Sequence, residues 1–306
     1  MGKFVLLSAI WGSSFALIKI AVDAGVPAVW VAFFRCLFGA VALWAVCAVQ
    51  RQGLPRDRGL WGHALVVAAL LNSVPFTLLA FGETKVSSVL AGVFNATTPL
   101  MTLLFVLLIV PQEKITKAKL AGLLVGFIGV LVVLNAWEGL GDDVLVGSLA
   151  CLGATFCYGA GFAYTRRFFS GGPHSASALS AVQITCGTAQ LAVAAPVLGG
   201  LPEWPGWPAA AALLVLGAAG TGLAYVLNLD VIREAGPTVA STVTYLTPLW
   251  STALGVLFLS EPAGWNTVVG GAVVVAGVLL ARRPANRPIG QEKDPAVVRA
   301  DKPGPG

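Results

Sequence analysis

The sequence predicts an all-α polytopic membrane protein: ten transmembrane helices arranged as two inverted five-helix repeats. Three observations carry this. The 306-residue chain is 57% hydrophobic and only 11% charged, against about 25% charged in an average soluble domain. Its apolar residues gather into ten runs, near 4–22, 29–49, 62–81, 86–108, 119–135, 145–167, 176–199, 208–228, 236–258 and 265–281, each close to the roughly 20 residues a spanning helix needs. Finally, the chain repeats itself. Thr98 and Pro99 return as Thr247 and Pro248 at an offset of 149, and Glu113, Gly122 and Gly129 return as Glu261, Gly270 and Gly277 at 148.

The alternating pattern of a transmembrane barrel is absent, so helices are the remaining way to satisfy backbone groups in lipid. The net charge of +5 reports topology rather than a nucleic-acid partner. Lys3, the Arg51/Arg56/Arg58 group, the Lys114/Lys117/Lys119 group, Arg166/Arg167, Arg233 and Arg282/Arg283 fall at alternate ends of the runs. The other connections carry Glu138, Asp142, Asp143, Glu203 and Glu261, with Lys85 the main exception. By the positive-inside rule both termini are cytoplasmic. Five helices per half is an odd number, so the second half enters the membrane inverted. Residues 4–135 form the first repeat, 145–281 the second, and 282–306 a polar, Pro-rich cytoplasmic tail that reads as disordered.

Taken in order, the first run carries Trp11-Gly12-Ser13-Ser14-Phe15 at mid-depth and Lys19 near its outer end. Lys3 ahead of an apolar run resembles a signal peptide, but Lys19 interrupts its end and no small-residue cleavage site follows, so it is read as an uncleaved helix. The second run opens with Phe33-Phe34-Arg35-Cys36. Charge at the depth of Arg35 faces a cavity or a partner, whereas Lys19 is equally able to snorkel to the interface. The third run holds Asn72, Ser73 and Pro75-Phe76; Pro75 lacks a backbone donor and frees a carbonyl near Leu71. The fourth holds Asn95, Thr97, Thr98 and Pro99, and its glycosylation sequon is a coincidence inside a membrane helix. Gly122-x-x-x-Gly126 gives the fifth a close-packing surface.

The second half answers the first. Tyr158 and Arg166 stand where Trp11 and Lys19 stand, at an offset of 147, and Gln183 and Gly187 match Arg35 and Gly39 at 148. The Pro/Trp-rich connection over 201–208 is an outer loop with interfacial tryptophans. The eighth run is rich in Gly and Ala, with Tyr225 and Asn228 toward its inner half, and the ninth carries Tyr245 just before Thr247-Pro248.

Chemistry-bearing constellations are missing from the sequence. Cys36, Cys47, Cys151, Cys157 and Cys186 all fall in apolar runs with no CxxC spacing, which reads as packing. His63 and His174 lie at membrane edges. Gly139-Leu140-Gly141-Asp142 echoes intramembrane aspartyl proteases, which need two carboxylates a few ångströms apart. The other candidate, Asp230, is expected at the opposite face, about 30 Å away. No catalytic residue, metal site or cofactor is therefore expected, and the chain is read as no enzyme.

At this point the sequence resembles the drug/metabolite transporter superfamily, in particular its EamA-type exporters, over about residues 4–281. Its carriers are Trp11-Gly12-Ser13-Ser14-Phe15 with Lys19, Phe33-Phe34-Arg35, Thr97-Thr98-Pro99-Leu100 with Glu113, Thr247-Pro248-Leu249, and Leu259-Ser260-Glu261-Pro262. Val110-Pro111-Gln112 stands before Glu113 where the family usually has Leu-Gly, and Tyr158 replaces a frequent Trp. The resemblance implies two EamA repeats, a bacterial inner-membrane location, export of metabolites such as amino acids or drugs, and a central cavity lined by helices 1, 3, 4, 6, 8 and 9.

Inverted repeats with polar, broken helices at mid-depth independently describe secondary transporters with the site at the repeat interface. The substrate is expected against Trp11, Asn72, Phe76, Asn95, Tyr158, Tyr225 and Tyr245. Lys19 and Arg35 form a charged outer mouth that either favours an anionic group or pairs with Glu83 or lipid phosphate. Pro75, Pro99 and Pro248 are the hinges of alternating access. Glu83, Glu113, Asp230 and Glu261 all lie near helix ends, which points to uniport or to coupling through an edge carboxylate. The partners are a small-molecule substrate (an amino acid or small amphipathic compound) and the lipid bilayer, with the oligomeric state left open. A channel-like facilitator and a membrane-embedded enzyme are the competing classes, but neither a filter or charge ring nor a reactive constellation is visible.

Overall fold

A computed structural model of the chain describes residues 2–110, 116–134, 142–259 and 264–281. Glu113, Glu261, the connection over 135–141 and the tail from 282 lie outside the described residues, as do the side chains of Asp142 and Asp143. Among the described residues all regular structure is helical. The helices are α1 (Gly2–Asp23), α2 (Ala28–Val49), α3 (Arg58–Ala68), α4 (Val74–Glu83), α5 (Ser88–Asn95), α6 (Thr98–Ile109) and α7 (Lys117–Leu134) in the first half. The second half contains α8 (Asp142–Tyr164), α9 (Ala176–Gly199), α10 (Trp207–Gly217), α11 (Ala224–Ala235), α12 (Pro237–Ser241), α13 (Thr247–Leu259) and α14 (Trp265–Ala281).

Seven continuous helical stretches among the described residues are long and apolar enough to cross a membrane: 2–23, 28–49, 58–83, 88–109, 144–169, 176–199 and 207–235. The outer surface agrees. Val49, Leu108, Val193, Val197, Leu257, Phe258 and Val268 are exposed, while Asn72, Thr98, Thr155, Gln183, Thr221 and Thr247 are buried. An apolar outside around a polar inside suits lipid as the solvent. The chain is a multi-pass membrane protein.

Several predicted runs fold as interrupted helices, and the causes are local. α3 passes into α4 through a π-helical turn over Ala69–Ser73, and α10 into α11 through another over Ala218–Leu223. Pro75 cannot donate to the carbonyl of Leu71, and the Tyr225 hydroxyl donates to that carbonyl at 2.5 Å. The proline therefore leaves a free carbonyl where the sequence places one, and a distant side chain satisfies it. Between α5 and α6, Pro99 orphans the carbonyl of Asn95. The neighbouring Thr98 hydroxyl donates to it at 2.6 Å. Pro248 repeats the device, with Thr247 Oγ1 donating to the Thr244 carbonyl at 2.7 Å. A Thr-Pro pair thus breaks the helical ladder and repairs it in one step.

Packing across the halves follows the sequence offset in part. α1 lies against α13 as α8 lies against α6, α2 packs on α9 and α7 on α14, but α1 packs more on α10, the counterpart of α3, than on α11, whereas α8 packs on α4, the counterpart of α11. Glycines set the closest approaches. A Cβ on Gly12 would sit 2.3 Å from Trp250 Cβ, and one on Gly159 would sit 2.5 Å from the Met101 backbone. Gly12 and Gly159 are 147 apart, and Met101 and Trp250 are 149 apart. On α7 and α14, a Cβ on Gly277 would fall 2.4 Å from the Gly126 nitrogen, so Gly126 serves the close-packing role its spacing predicts.

Candidate functional site

Between the halves lies a narrow cavity of about 40 Å³ in this conformation, space for water-sized groups only. It is lined by Trp11, Ser14, Phe15, Ile18, Arg35, Leu71, Phe76, Leu79, Asn95, Tyr158, Phe162, Tyr225, Asn228 and Thr244. Most of these residues come from the interrupted helices and from α1 and α8. Gly12 lets α1 approach α13 closely, which turns Trp11 and Phe15 of the same motif toward the cavity. Where a π-turn or a Thr-Pro break loosens the ladder, the chain presents Leu71, Asn95 and Thr244.

Ten of the fourteen lining residues form repeat-related pairs. Trp11 and Tyr158, and Phe15 and Phe162, are each 147 apart; Phe76 and Tyr225, Leu79 and Asn228, and Asn95 and Thr244 are each 149 apart. The rings also meet one another. Tyr225 stands edge-on to Trp11 at 6.2 Å and to Phe76 at 6.3 Å between centroids. Such contacts are worth about 0.5–1.5 kcal/mol each beyond the area they bury.

Ser14, Ile18, Leu71 and Arg35 have no repeat-related partner in the lining, and Arg35 is the charged one among them. Its side chain is buried, and its guanidinium stacks 3.7 Å above the Phe76 centroid. Nε donates to Thr221 Oγ1 at 2.9 Å and Nη2 reaches the Gly220 carbonyl at 3.5 Å. Both acceptors belong to the π-turn of the second half. Arg35 makes no ion pair among the described residues. Its counterpart Gln183 does not line the cavity; Gln183 Nε2 donates to Asn72 Oδ1 at 2.8 Å.

The structure brings together Trp11, Phe76, Asn95, Tyr158 and Tyr225 of the expected contact residues. Asn72 and Tyr245 stand outside that lining. Asn72 is fully buried and turned to Gln183, outside the cavity. Tyr245 packs over Gly126 and donates to the Leu123 carbonyl at 3.0 Å, so its ring fills the contact with α7. The charged mouth also divides. Arg35 lies in the cavity wall, whereas Lys19 bridges to Asp23 at 2.8 Å and reaches the Glu83 backbone carbonyl at 3.3 Å. Pro75 and Pro99 stand at helix breaks, as does Pro248, but none of them lines the cavity. Sequence reading missed Asn228 and Thr244 as contacts; both follow from the 149-residue offset applied to Leu79 and Asn95.

No cluster of His, Cys, Asp or Glu able to hold a metal occurs among the described residues. At the end of the bundle that holds the amino terminus, Lys3 bridges to Asp230 at 2.8 Å and to Glu234 at 2.9 Å. Close by in sequence, Arg233 donates to the Ser170 and His174 carbonyls at 2.9 and 2.8 Å. The exposed Trp204, in the connection before α10, meets Trp207 at the start of that helix edge to face.

Comparison with known proteins places this geometry in context. The EamA-like transporter family matches residues 3–135 and again 145–283. An uncharacterised inner membrane transporter of Escherichia coli K12, YedA, is 27% identical over 258 residues, covering 83% of this chain and 81% of the relative. The uncharacterised transporter YoaV of Bacillus subtilis is 23% identical over 283 residues, covering 90% and 94%. Protein PagO of Salmonella typhimurium is 28% identical over 146 residues, where the match spans about half of each chain, 45% and 47%. A solved crystal structure of 22% identity superposes with a TM-score of 0.70 over 90% of this chain and 97% of its own, and so has the same fold.

Proposed function

The chain belongs to the EamA-like transporter family, and we propose that it is a secondary transporter exporting a small metabolite, an amino acid or an amphipathic compound, across a bacterial inner membrane by alternating access. Its transport role rests on the family and on transporter relatives such as YedA and YoaV. The finer reading is supported above all by the paired lining of the cavity. Side chains at equivalent positions of two sequence repeats face one another there, as expected when a pseudo-twofold axis runs through the site.

In this reading the two family segments are inverted five-helix repeats, α1–α7 and α8–α14, with ten spans in total. The contact of α1 with α13 repeats that of α8 with α6, whereas α1 packs more on α10 than on α11 and α8 packs on α4; one frame tilted differently in its two halves supports rocking about its centre. Thr98-Pro99 and Thr247-Pro248 are the hinges in α5–α6 and α12–α13, because their carbonyls are held by hydroxyls rather than by the helical ladder. Lys3, Arg166 and Arg233 gather at one end, which supports cytoplasmic termini by the positive-inside rule.

Purified protein in liposomes tests the proposal. Efflux of candidate amino acids and aromatic acids should be saturable and should show counterflow. Flux that rises linearly with concentration and lacks counterflow would mark a channel-like pore and reject alternating access.

A further inference from the structure

We infer that Arg35 is the receptor for an anionic group, a carboxylate, on the solute this cavity carries; the inference rests on the transport reading above. Arg35 is 4% exposed, lines the cavity and is held by neutral groups only: the Thr221 hydroxyl, the Gly220 carbonyl and the Phe76 ring. Neither contact with a neutral oxygen nor the face of a ring cancels a full charge in a low-dielectric interior. A cation inside a membrane protein faces a cavity or pairs with another charge or with backbone carbonyls, and Arg35 has the cavity and one long carbonyl contact. No Asp, Glu, Lys or His shares the lining, so an arriving anion meets one uncompensated cation.

Arg35 shares with Ser14, Ile18 and Leu71 the lack of a repeat-related partner in the lining, and it alone of the four carries a charge. Trp11, Phe15, Phe76, Leu79 and Asn95 each face a repeat-related partner across the cavity, but the partner of Arg35, Gln183, is neutral and engaged with Asn72 outside it. Packing alone explains the paired residues. It does not explain a charge placed on one side. The guanidinium is a planar fork suited to two carboxylate oxygens, and only Nε is engaged at a short distance. A second group points to a ligand. Asn228 lines the same cavity, and its buried Oδ1 has no hydrogen-bond partner among the described residues. It is an acceptor left for a donor on the same solute. The cavity must widen to admit a solute; its aromatic walls then take an aryl or alkyl body, so the class is a small carboxylate with an apolar substituent.

Three probes of nearly one shape test this: 3-phenylpropionate, its neutral amide and 3-phenylpropylammonium, titrated calorimetrically into the purified full chain in detergent. The acid should bind at least ~10-fold more tightly than the amide, as expected for a charge-assisted bidentate contact. Arg35→Gln should erase that preference, and Arg35→Lys should keep part of it. The acid-to-amide ratio in the unsubstituted protein decides the matter even if Arg35→Gln fails to fold. Amide or ammonium binding as tight as the acid would overturn the anion receptor and leave a carrier of neutral or cationic solutes standing. Binding of none of the three would overturn the receptor together with the placement of solutes in this cavity.

Discussion

Arg35 and Gln183 stand 148 positions apart and make the same reach into the opposite half, Arg35 to Thr221 at 2.9 Å and Gln183 to Asn72 at 2.8 Å. Their acceptors are themselves 149 apart. Two hydrogen bonds of one design therefore tie α2 to the second half and α9 to the first. One of the two is neutral and closed, and the other carries a charge into the cavity.

The neutral bond is a stability element. Gln183→Leu should cost about 1–3 kcal/mol by leaving the buried Asn72 carbonyl oxygen without its donor. Adding Asn72→Leu should recover part of that loss, since both polar groups are then gone. Unfolding of the three variants in detergent checks the cycle, and strictly additive losses would show that the bond is not the coupling.

The Thr-Pro breaks predict a second cycle. Thr98→Val removes the hydroxyl that holds the Asn95 carbonyl and should destabilise the fold by about 1–3 kcal/mol. In Thr98→Val with Pro99→Ala, the new backbone N–H can bond to that carbonyl, so most of the stability should return. Transport should not return, because the loosened ladder is then closed. Equal recovery of stability and flux would remove the hinge assignment.

Close helix approaches give a stability contrast. Gly277→Ala places a methyl 2.4 Å from the Gly126 backbone and must separate α7 from α14, whereas Gly153→Ala meets only Leu78 Cδ1, at 3.4 Å. The first should lower the melting temperature clearly and the second leave it nearly unchanged, because backbone cannot yield as a flexible side chain can.

Topology is open to chemical labelling. Cysteine in place of Glu203, between α9 and α10, should react with an impermeant thiol reagent added to intact cells. Cysteine in place of Arg51, between α2 and α3, should react only after permeabilisation. The reverse order would invert the assigned orientation.

The sequence made some of this legible and hid the rest for identifiable reasons. Membrane spans, the orphaned carbonyl at Leu71 and the small-residue contact at Gly126 follow from composition and local stereochemistry alone. The π-turn at Ala218–Leu223 contains no proline and has no compositional signature. Asn72 and Tyr245 sit in broken helices at the predicted depth, yet depth does not fix azimuth. A π-turn or a 3₁₀ turn next to them rotates the following residues by tens of degrees, and that rotation decides between cavity and packing interface. For Arg35, the short reach to Thr221 holds the side chain inward, a tertiary contact that periodicity cannot anticipate. Applying the repeat offset to each candidate, instead of to motifs only, would have found Asn228 and Thr244.

The central claim is that solute is carried in the cavity between the two halves, with Trp11 and Tyr158 on its opposing walls. Its most direct test is the apparent affinity of reconstituted Trp11→Ala and Tyr158→Ala for a solute whose flux through the unsubstituted protein is saturable. Folding is checked beforehand by gel filtration. Loss of one ring removes about 1 kcal/mol of contact, so each variant should weaken apparent affinity several-fold while remaining monodisperse. Unchanged affinity and flux in both would place the transport path elsewhere in the protein.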